Sequence, residues 1–287
     1  MDEDIFIWLG GSFSPPTNAH LNIAEMVGIF MRNKTGKRVR LFFVPVNDYY
    51  TKPSVLCVAG PEHHRIHMLR LATDYLNSRR NENLLFDVDD IEFTEGENTK
   101  KPIKTVDSVT IFTKKHNANP DNVYIMQGQD NIAAILAGKW HGTEALVFNS
   151  KLLCIPREAV EGKDIVQATK DSLRKQIDVS KFTNKTEEEI MNRITILDAV
   201  PKLDSSTDLR KFIRQGNFHL VKEKTIEPIS AYIEHKGLYK DIICETAKQG
   251  GKRKKTLRRR NRRRISRKHF STVLYSWKKS RNTALLQ

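Results

Sequence analysis

The segment that most restricts the fold is Ile5-Phe6-Ile7-Trp8-Leu9, followed by Gly10-Gly11-Ser12-Phe13-Ser14-Pro15-Pro16-Thr17-Asn18-Ala19-His20. Consecutive apolar residues without alternation read as a strand buried on both faces, the kind found in parallel sheets covered by helices. Two glycines end the run and two prolines prevent its continuation. Leu21, Ala24, Glu25, Val27 and Gly28 then precede Phe30 and Met31 on a helical period. Strand, glycine turn and helix together open a βαβ unit. Glycines let backbone approach an anion closely, and the unpaired N–H groups of a helix N-terminus favour a phosphate. Thr17 is the expected N-cap, which sets His20 in the first turn and aims it at the same anion. A buried histidine behind an ordinary turn is the competing reading, and a lone Gly-Gly would favour it.

The remaining pattern extends the unit. Strands are expected at Val39–Val46, Leu84–Phe93, Val123–Met126, Lys151–Pro156 and Ile194–Val200, with a polar loop over Asn47–Gly60. Helices are expected from Pro61 through Ile66, Leu69, Leu71 and Leu76, at Thr105–His116, behind Val123–Met126, at Ser205–Gln215 and at Ile226–His235. Glu158–Thr186 reads as a polar excursion containing a helix. Alternation of this kind gives an α/β fold with a parallel sheet.

The formal charge of +15 divides unevenly. Residues 250–287 hold 15 Lys or Arg and no acid, so the other 34 basic residues balance the 34 acidic ones. The body is neutral and the basicity sits in a tail, which excludes a basic nucleic-acid-binding fold. Residues 1–243 are therefore expected to form one domain and 244–287 a basic, largely disordered tail. Cys57, Cys154 and Cys244 stand far apart, as in a reducing compartment without disulfides or zinc. The opening MDEDIFIWLGG lacks a secretory pattern, and no apolar run is long enough for a membrane helix.

A second constellation, Ser205-Ser206-Thr207-Asp208-Leu209-Arg210, precedes the penultimate expected helix. Hydroxyls at the cap and an arginine one turn later converge on one place, and both suit phosphate oxygens. Alone, it describes a capped helix with a solvated arginine.

Taken in order, the two segments resemble the GSFxPxTxxH and SSTxxR signatures of nicotinamide and nicotinic acid mononucleotide adenylyltransferases, eukaryotic-type branch, within the HxGH nucleotidyltransferase superfamily. The likeness covers nearly all of residues 5–239. It implies a Rossmann-like, doubly wound parallel sheet forming a single nucleotidyltransferase domain. It also implies transfer of adenylyl from ATP to the mononucleotide, giving NAD or deamido-NAD and pyrophosphate. By the same resemblance, His20 and Arg210 are the catalytic pair. Gly10, Gly11, Ser12, Phe13, Thr17, Ser205, Ser206 and Thr207 would surround the triphosphate, and Arg157 would line the phosphate region. Tyr50 and Lys52 would meet the mononucleotide, and Thr105 would start the helix beside the nicotinamide pocket. Gly128 and Asp130 would receive a ribose, and Trp140 would stack on the pyridine ring. Thr17 stands where the superfamily has its first histidine, Ala19 where it has a glycine, and Asp204 where Ile or Val is usual. A second stacking tryptophan is missing, since none lies between Trp8 and Trp140. His63-His64-Arg65 matches the second-helix motif; adjacent histidines face different ways on a helix, so no metal site is assigned.

Mg²⁺ is expected to arrive with ATP, held by its phosphates rather than by protein ligands. Two other readings stand beside this one: an adenylyltransferase for another phosphate ester, and a catalytically weak nucleotide-binding domain with a nucleic-acid-binding tail. The tail is expected to contact nucleic acid or import factors, which favours an intracellular, nuclear location over a cytoplasmic one. No membrane partner is expected, and homo-oligomerisation is left open.

Overall fold

The computed structural model describes residues 4–79, 83–157, 164–201 and 205–240. Asp204 and the basic tail lie outside the described residues. Six parallel strands form one sheet in the order β3-β2-β1-β4-β5-β6. They are β1 (Ile5–Gly11), β2 (Val39–Pro45), β3 (Leu84–Val88), β4 (Val123–Gly128), β5 (Lys151–Ile155) and β6 (Ile194–Ile196). The order reverses between β1 and β4, the topological switch point of a doubly wound sheet.

Alternation along each strand sends neighbouring residues into two cores. Ile5 and Ile7 pack with Leu41, Phe43, Met68 and Leu69 on one face. Phe6 and Trp8 pack with Phe42, Ile125, Phe112 and Leu152 on the other. The first face is covered by α1 (Asn18–Thr35), α3 (His64–Asn77), α10 (Ser206–Arg214), α11 (Phe218–Lys224) and α12 (Glu227–Lys236). The second is covered by helices that include α5 (Thr105–Lys115), α6 (Gln129–Leu136), α7 (Thr143–Phe148) and α8 (Ile165–Arg174). Gly36, in the left-handed conformation with φ 69°, stops α1 after 18 residues, as a helix C-terminus favours.

Three local expectations are corrected. The strand expected over Leu84–Phe93 ends at Val88, and Ile91–Thr99 is helix α4. Asp89, buried at that boundary, accepts the Ile91 N–H and binds His116 and Lys115, so the chain turns there. The loop expected over Asn47–Gly60 contains a short helix, α2 (Pro53–Leu56), and Pro61 stands three residues before α3 begins at His64. A further short helix, α9 (Glu187–Met191), follows the polar excursion, whose expected helix is α8. Among the described residues no helix is long and apolar enough to cross a membrane.

Candidate active site

The sheet is split at its switch point. Pairing between β1 and β4 stops at Trp8–Ile125, although β1 runs on to Gly11 and β4 to Gly128. Over the same stretch β1 stays paired with β2 as far as Gly11–Pro45, and β4 with β5 as far as Gly128–Ile155. The carboxyl ends of the two central strands therefore diverge and leave a crevice, where ligands of such sheets bind.

The loop on one side of this crevice is held by residues from across the chain. Arg210 donates to the Ser14 carbonyl over 2.7 Å, and the Ser206 hydroxyl to the Pro15 carbonyl over 3.0 Å. Thr225 donates to the Pro16 carbonyl over 3.0 Å, and the Ser14 hydroxyl meets both the Ser54 carbonyl and the Tyr239 hydroxyl. Carbonyls of a turn that would otherwise be buried without partners are thus satisfied from the C-terminal helices. The two signature segments meet on one loop. Ser205 caps α10, accepting from the Thr207 N–H, and Arg210 also donates to the Thr207 hydroxyl over 3.0 Å. Among the described residues the buried Nε of Arg210 has no partner.

Thr17 is the N-cap of α1, and His20 is its third residue. The Thr17 N–H donates to His20 Nδ1 over 3.1 Å, and the Thr17 hydroxyl lies 2.7 Å from the same atom. The imidazole closes the capping box that a glutamate ordinarily closes. An Nδ1 that accepts leaves the ring proton on Nε2, which has no protein partner among the described residues. Burial, and then the Lys52 ammonium, push the His20 pKa down to about 4. Burial and then Arg210 lower that of Lys52, whose Nζ lies 3.4 Å from the Ser12 hydroxyl. Lys52 thus senses both His20 and Arg210. Three basic groups gather at one loop whose carbonyls are already occupied, a field suited to a polyanion.

The two glycines also have a packing reason. A Cβ on Gly10 would stand 2.0 Å from the Trp8 ring, and one on Gly11 2.8 Å from the Phe13 ring. Gly128 is the opposite case: a Cβ there would meet only Arg157 Nε at 3.9 Å, so no protein atom calls for a glycine. Asp130, in the first turn of α6, pairs with Arg157 over 2.8 Å, and both side chains are more than half exposed. The Arg157 N–H is held by Gln129 Oε1 at 3.2 Å.

Tyr50 is exposed on the loop after β2, with Lys52 two residues on at the cap of α2. Thr105 opens α5, as expected, and Trp140 is partly buried against the second core. These last two belong together: Lys104 Nζ lies 3.1 Å from His141 Nε2, and Gly142 packs on Val106. No hydrogen bond joins either of them to the glycine loop among the described residues.

Sequence reasoning gave no role to Arg65 or Glu92. Arg65 is 1% exposed and bonds the Ser12 carbonyl, the Val46 carbonyl and Asp48. Glu92 is also buried, and that burial pushes its pKa up to about 7. The available signal was an arginine beside Ile66, Met68 and Leu69 on a core-facing helix.

Comparison with known proteins gives a consistent picture. The cytidylyltransferase-like family model matches residues 8–230. A probable nicotinate-nucleotide adenylyltransferase of Roseiflexus castenholzii is 28% identical over 233 residues, covering 81% of this chain and 96% of that protein. One from Streptococcus pneumoniae is 29% identical, covering 80% and 87%. Among solved structures, Plasmodium falciparum nicotinic acid mononucleotide adenylyltransferase complexed with NaAD superposes with a TM-score of 0.52 at 21% identity, covering 83% of this chain and 97% of that one. The structural likeness speaks for the fold.

Proposed function

The chain belongs to the cytidylyltransferase-like family, and we propose that it transfers the adenylyl group of ATP to a pyridine mononucleotide, releasing pyrophosphate and forming deamido-NAD or NAD. The names of the relatives put nicotinate mononucleotide first among the two acceptors. The observation that carries this reading is the meeting of His20, Lys52 and Arg210 around one loop at the split end of the sheet.

In this reaction a phosphate oxygen of the mononucleotide attacks the α-phosphorus of ATP in line. The bond to the β-phosphate oxygen breaks, and pyrophosphate leaves with its electron pair. The acceptor is already ionised at neutral pH, so no general base is needed. The protein's work is positioning and charge stabilisation. His20 donates through Nε2–H, its tautomer fixed by Thr17. Arg210 offsets the charge growing on the leaving group, beside the amides of Gly11 and Ser12 and the hydroxyls of Ser205, Ser206 and Thr207, while Lys52 meets the phosphate of the mononucleotide. Gly10 and Phe13 shape this loop. Gly128 leaves room for a ribose whose hydroxyls Asp130 accepts, with Arg157 alongside. Tyr50, Thr105 and Trp140 enclose the pyridine nucleotide.

Mg²⁺ supplies further charge neutralisation on the triphosphate. Among the described residues no group of three or more His, Cys, Asp or Glu could hold a metal. The basic segment from Lys252 to Lys268 directs the enzyme to the nucleus; deleting residues 250–287 then redistributes it through the cell, and an unchanged distribution rejects this role.

The activity is tested by incubating the purified full chain with ATP, Mg²⁺ and each mononucleotide. Dinucleotide and pyrophosphate are expected in equal amounts. Failure to form dinucleotide from either acceptor overturns the assignment.

A further inference from the structure

We propose that Arg65 is a positioning residue that sets the spacing between the glycine loop and the loop after β2, and hence between the two substrates; the inference rests on the reaction assigned above. Arg65 is the second residue of α3 and one of the largest fully buried side chains. It cannot touch substrate from there. One guanidinium nitrogen donates to the Ser12 carbonyl over 3.0 Å. The other reaches the Val46 carbonyl and Asp48 Oδ1, the latter at 2.9 Å. Ser12 belongs to the loop that faces the triphosphate. Val46 and Asp48 belong to the loop that leads to Tyr50 and Lys52. A single planar fork therefore bonds both sides of the reaction at once, a geometry that arginine has and lysine lacks.

The surroundings hold this fork in place. The guanidinium lies 4.9 Å from the Phe93 ring centroid, a cation–π contact from α4. Asn47, one residue beyond Val46, donates through its side-chain amide to the Lys101 carbonyl just past α4 over 2.9 Å, which holds the same loop. Asp48 uses its second oxygen to accept the Gly60 N–H over 3.0 Å, tying the far end of the same loop. Lys52 Nζ then lies 3.4 Å from the hydroxyl of Ser12, the residue whose carbonyl Arg65 holds. A buried cation is costly to desolvate, and a buried hydrophobic residue would serve packing alone. What a hydrophobic residue could not do is fix the separation of two loops.

The role predicts that each half-site survives when the fork is lost while their mutual placement does not. In Arg65→Lys of the full chain, dissociation constants for ATP alone and for mononucleotide alone are expected to stay within about threefold of wild type. The kcat for dinucleotide is expected to fall about 100-fold, the size of effect a misplacement of about 1 Å produces. A purely structural role would instead lower both affinities and the folded fraction together, with kcat per folded molecule unchanged; that result overturns the proposal. If Arg65→Lys does not fold, Asp48→Asn replaces it, since Asn keeps the shape but weakens the hold on the fork. A kcat loss with intact separate binding is expected again, and kcat at the wild-type level overturns the proposal. The wild-type protein is assayed alongside: its failure to make dinucleotide rejects the assigned reaction, whereas an active wild type with fully active variants rejects only the role of Arg65.

Discussion

Arg210 donates to the Ser14 carbonyl over 2.7 Å although 196 positions separate the two residues. Through this bond and that of Ser206 to Pro15, the segment that ends the domain becomes a wall of the loop that begins it. Arg210 is 7% exposed, and among the described residues its Nε has no partner. Arg210→Lys keeps the charge and can keep one bond, but it loses the fork. The expected result is a fall in kcat of about 100-fold or more, in the range for removing a preorganised donor to developing negative charge. A variant with the wild-type rate would separate this residue from the chemistry.

His20 Nδ1 makes two hydrogen bonds to Thr17, and its ring meets Phe13 edge-on at 5.3 Å between centroids. Its pKa, pushed down to about 4, leaves it neutral at working pH, a donor through Nε2 alone. Titration of the ligand-free protein by NMR is expected to show one histidine well below the usual value near 6.5. Burial is the larger cause and Lys52 the smaller, so Lys52→Ala is expected to raise that value only in part. His20→Ala is expected to lower turnover by about 100-fold or more while losing about 1 kcal/mol of stability, the size of a lost helix cap. A His20 resonance that titrates near 6.5 would contradict the buried, Thr17-bonded ring.

Much of this was legible in the order of residues, and the part that was not has physical causes. The run Ile5–Leu9 and the glycines marked a buried strand and its end, because a parallel strand covered on both faces has no polar side to confuse the pattern. Ser205 and Thr17 declared their caps through short hydroxyl side chains. Leu84–Val88 was not separable from a ten-residue strand continuing to Phe93, since Ile91 and Phe93 start a second alternation, in the opposite phase. The turn there depends on Asp89 meeting His116, a contact between residues 27 apart. The rings of Trp8 and Phe13 also require Gly10 and Gly11, and a ring folding back over backbone two residues away leaves no trace in spacing. The His63-His64-Arg65 motif carried no sign of what Arg65 holds, because its three acceptors come from two distant loops.

The same glycine comparison separates packing from binding. Gly11→Ala forces a Cβ against the buried Phe13 ring at 2.8 Å and is expected to destabilise by about 1–3 kcal/mol, the usual cost of overpacking. Gly128→Ala meets nothing closer than Arg157 Nε at 3.9 Å and is expected to leave the melting temperature within a few degrees. With Gly128 assigned to the seat of a ribose, KM for at least one nucleotide is expected to rise. Equal stability losses in the two variants, with unchanged KM at Gly128→Ala, would show that the crevice beside β4 does not receive substrate.

Glu92 supplies a pH test of the interior behind the site. Its carboxyl is 4% exposed, and burial outweighs the help it receives from Ser108 on α5, Arg65 on α3 and the Asn47 N–H, so its pKa rises to about 7 from 4.5. Asp48 draws part of the Arg65 charge away. The folded protein thus holds this proton where the unfolded chain has released it. Stability from this group is complete below about pH 4.5 and is lost as pH climbs to about 7. Glutamine has the shape of the protonated acid, but it carries no such dependence. Denaturant unfolding of wild type and Glu92→Gln at pH 5 and pH 8 is therefore expected to show the variant gaining about 2 kcal/mol relative to wild type between the two conditions. Curves that move in parallel across this range would mean that the Glu92 carboxylate is ionised at both pH values, compensated by Arg65 despite its burial.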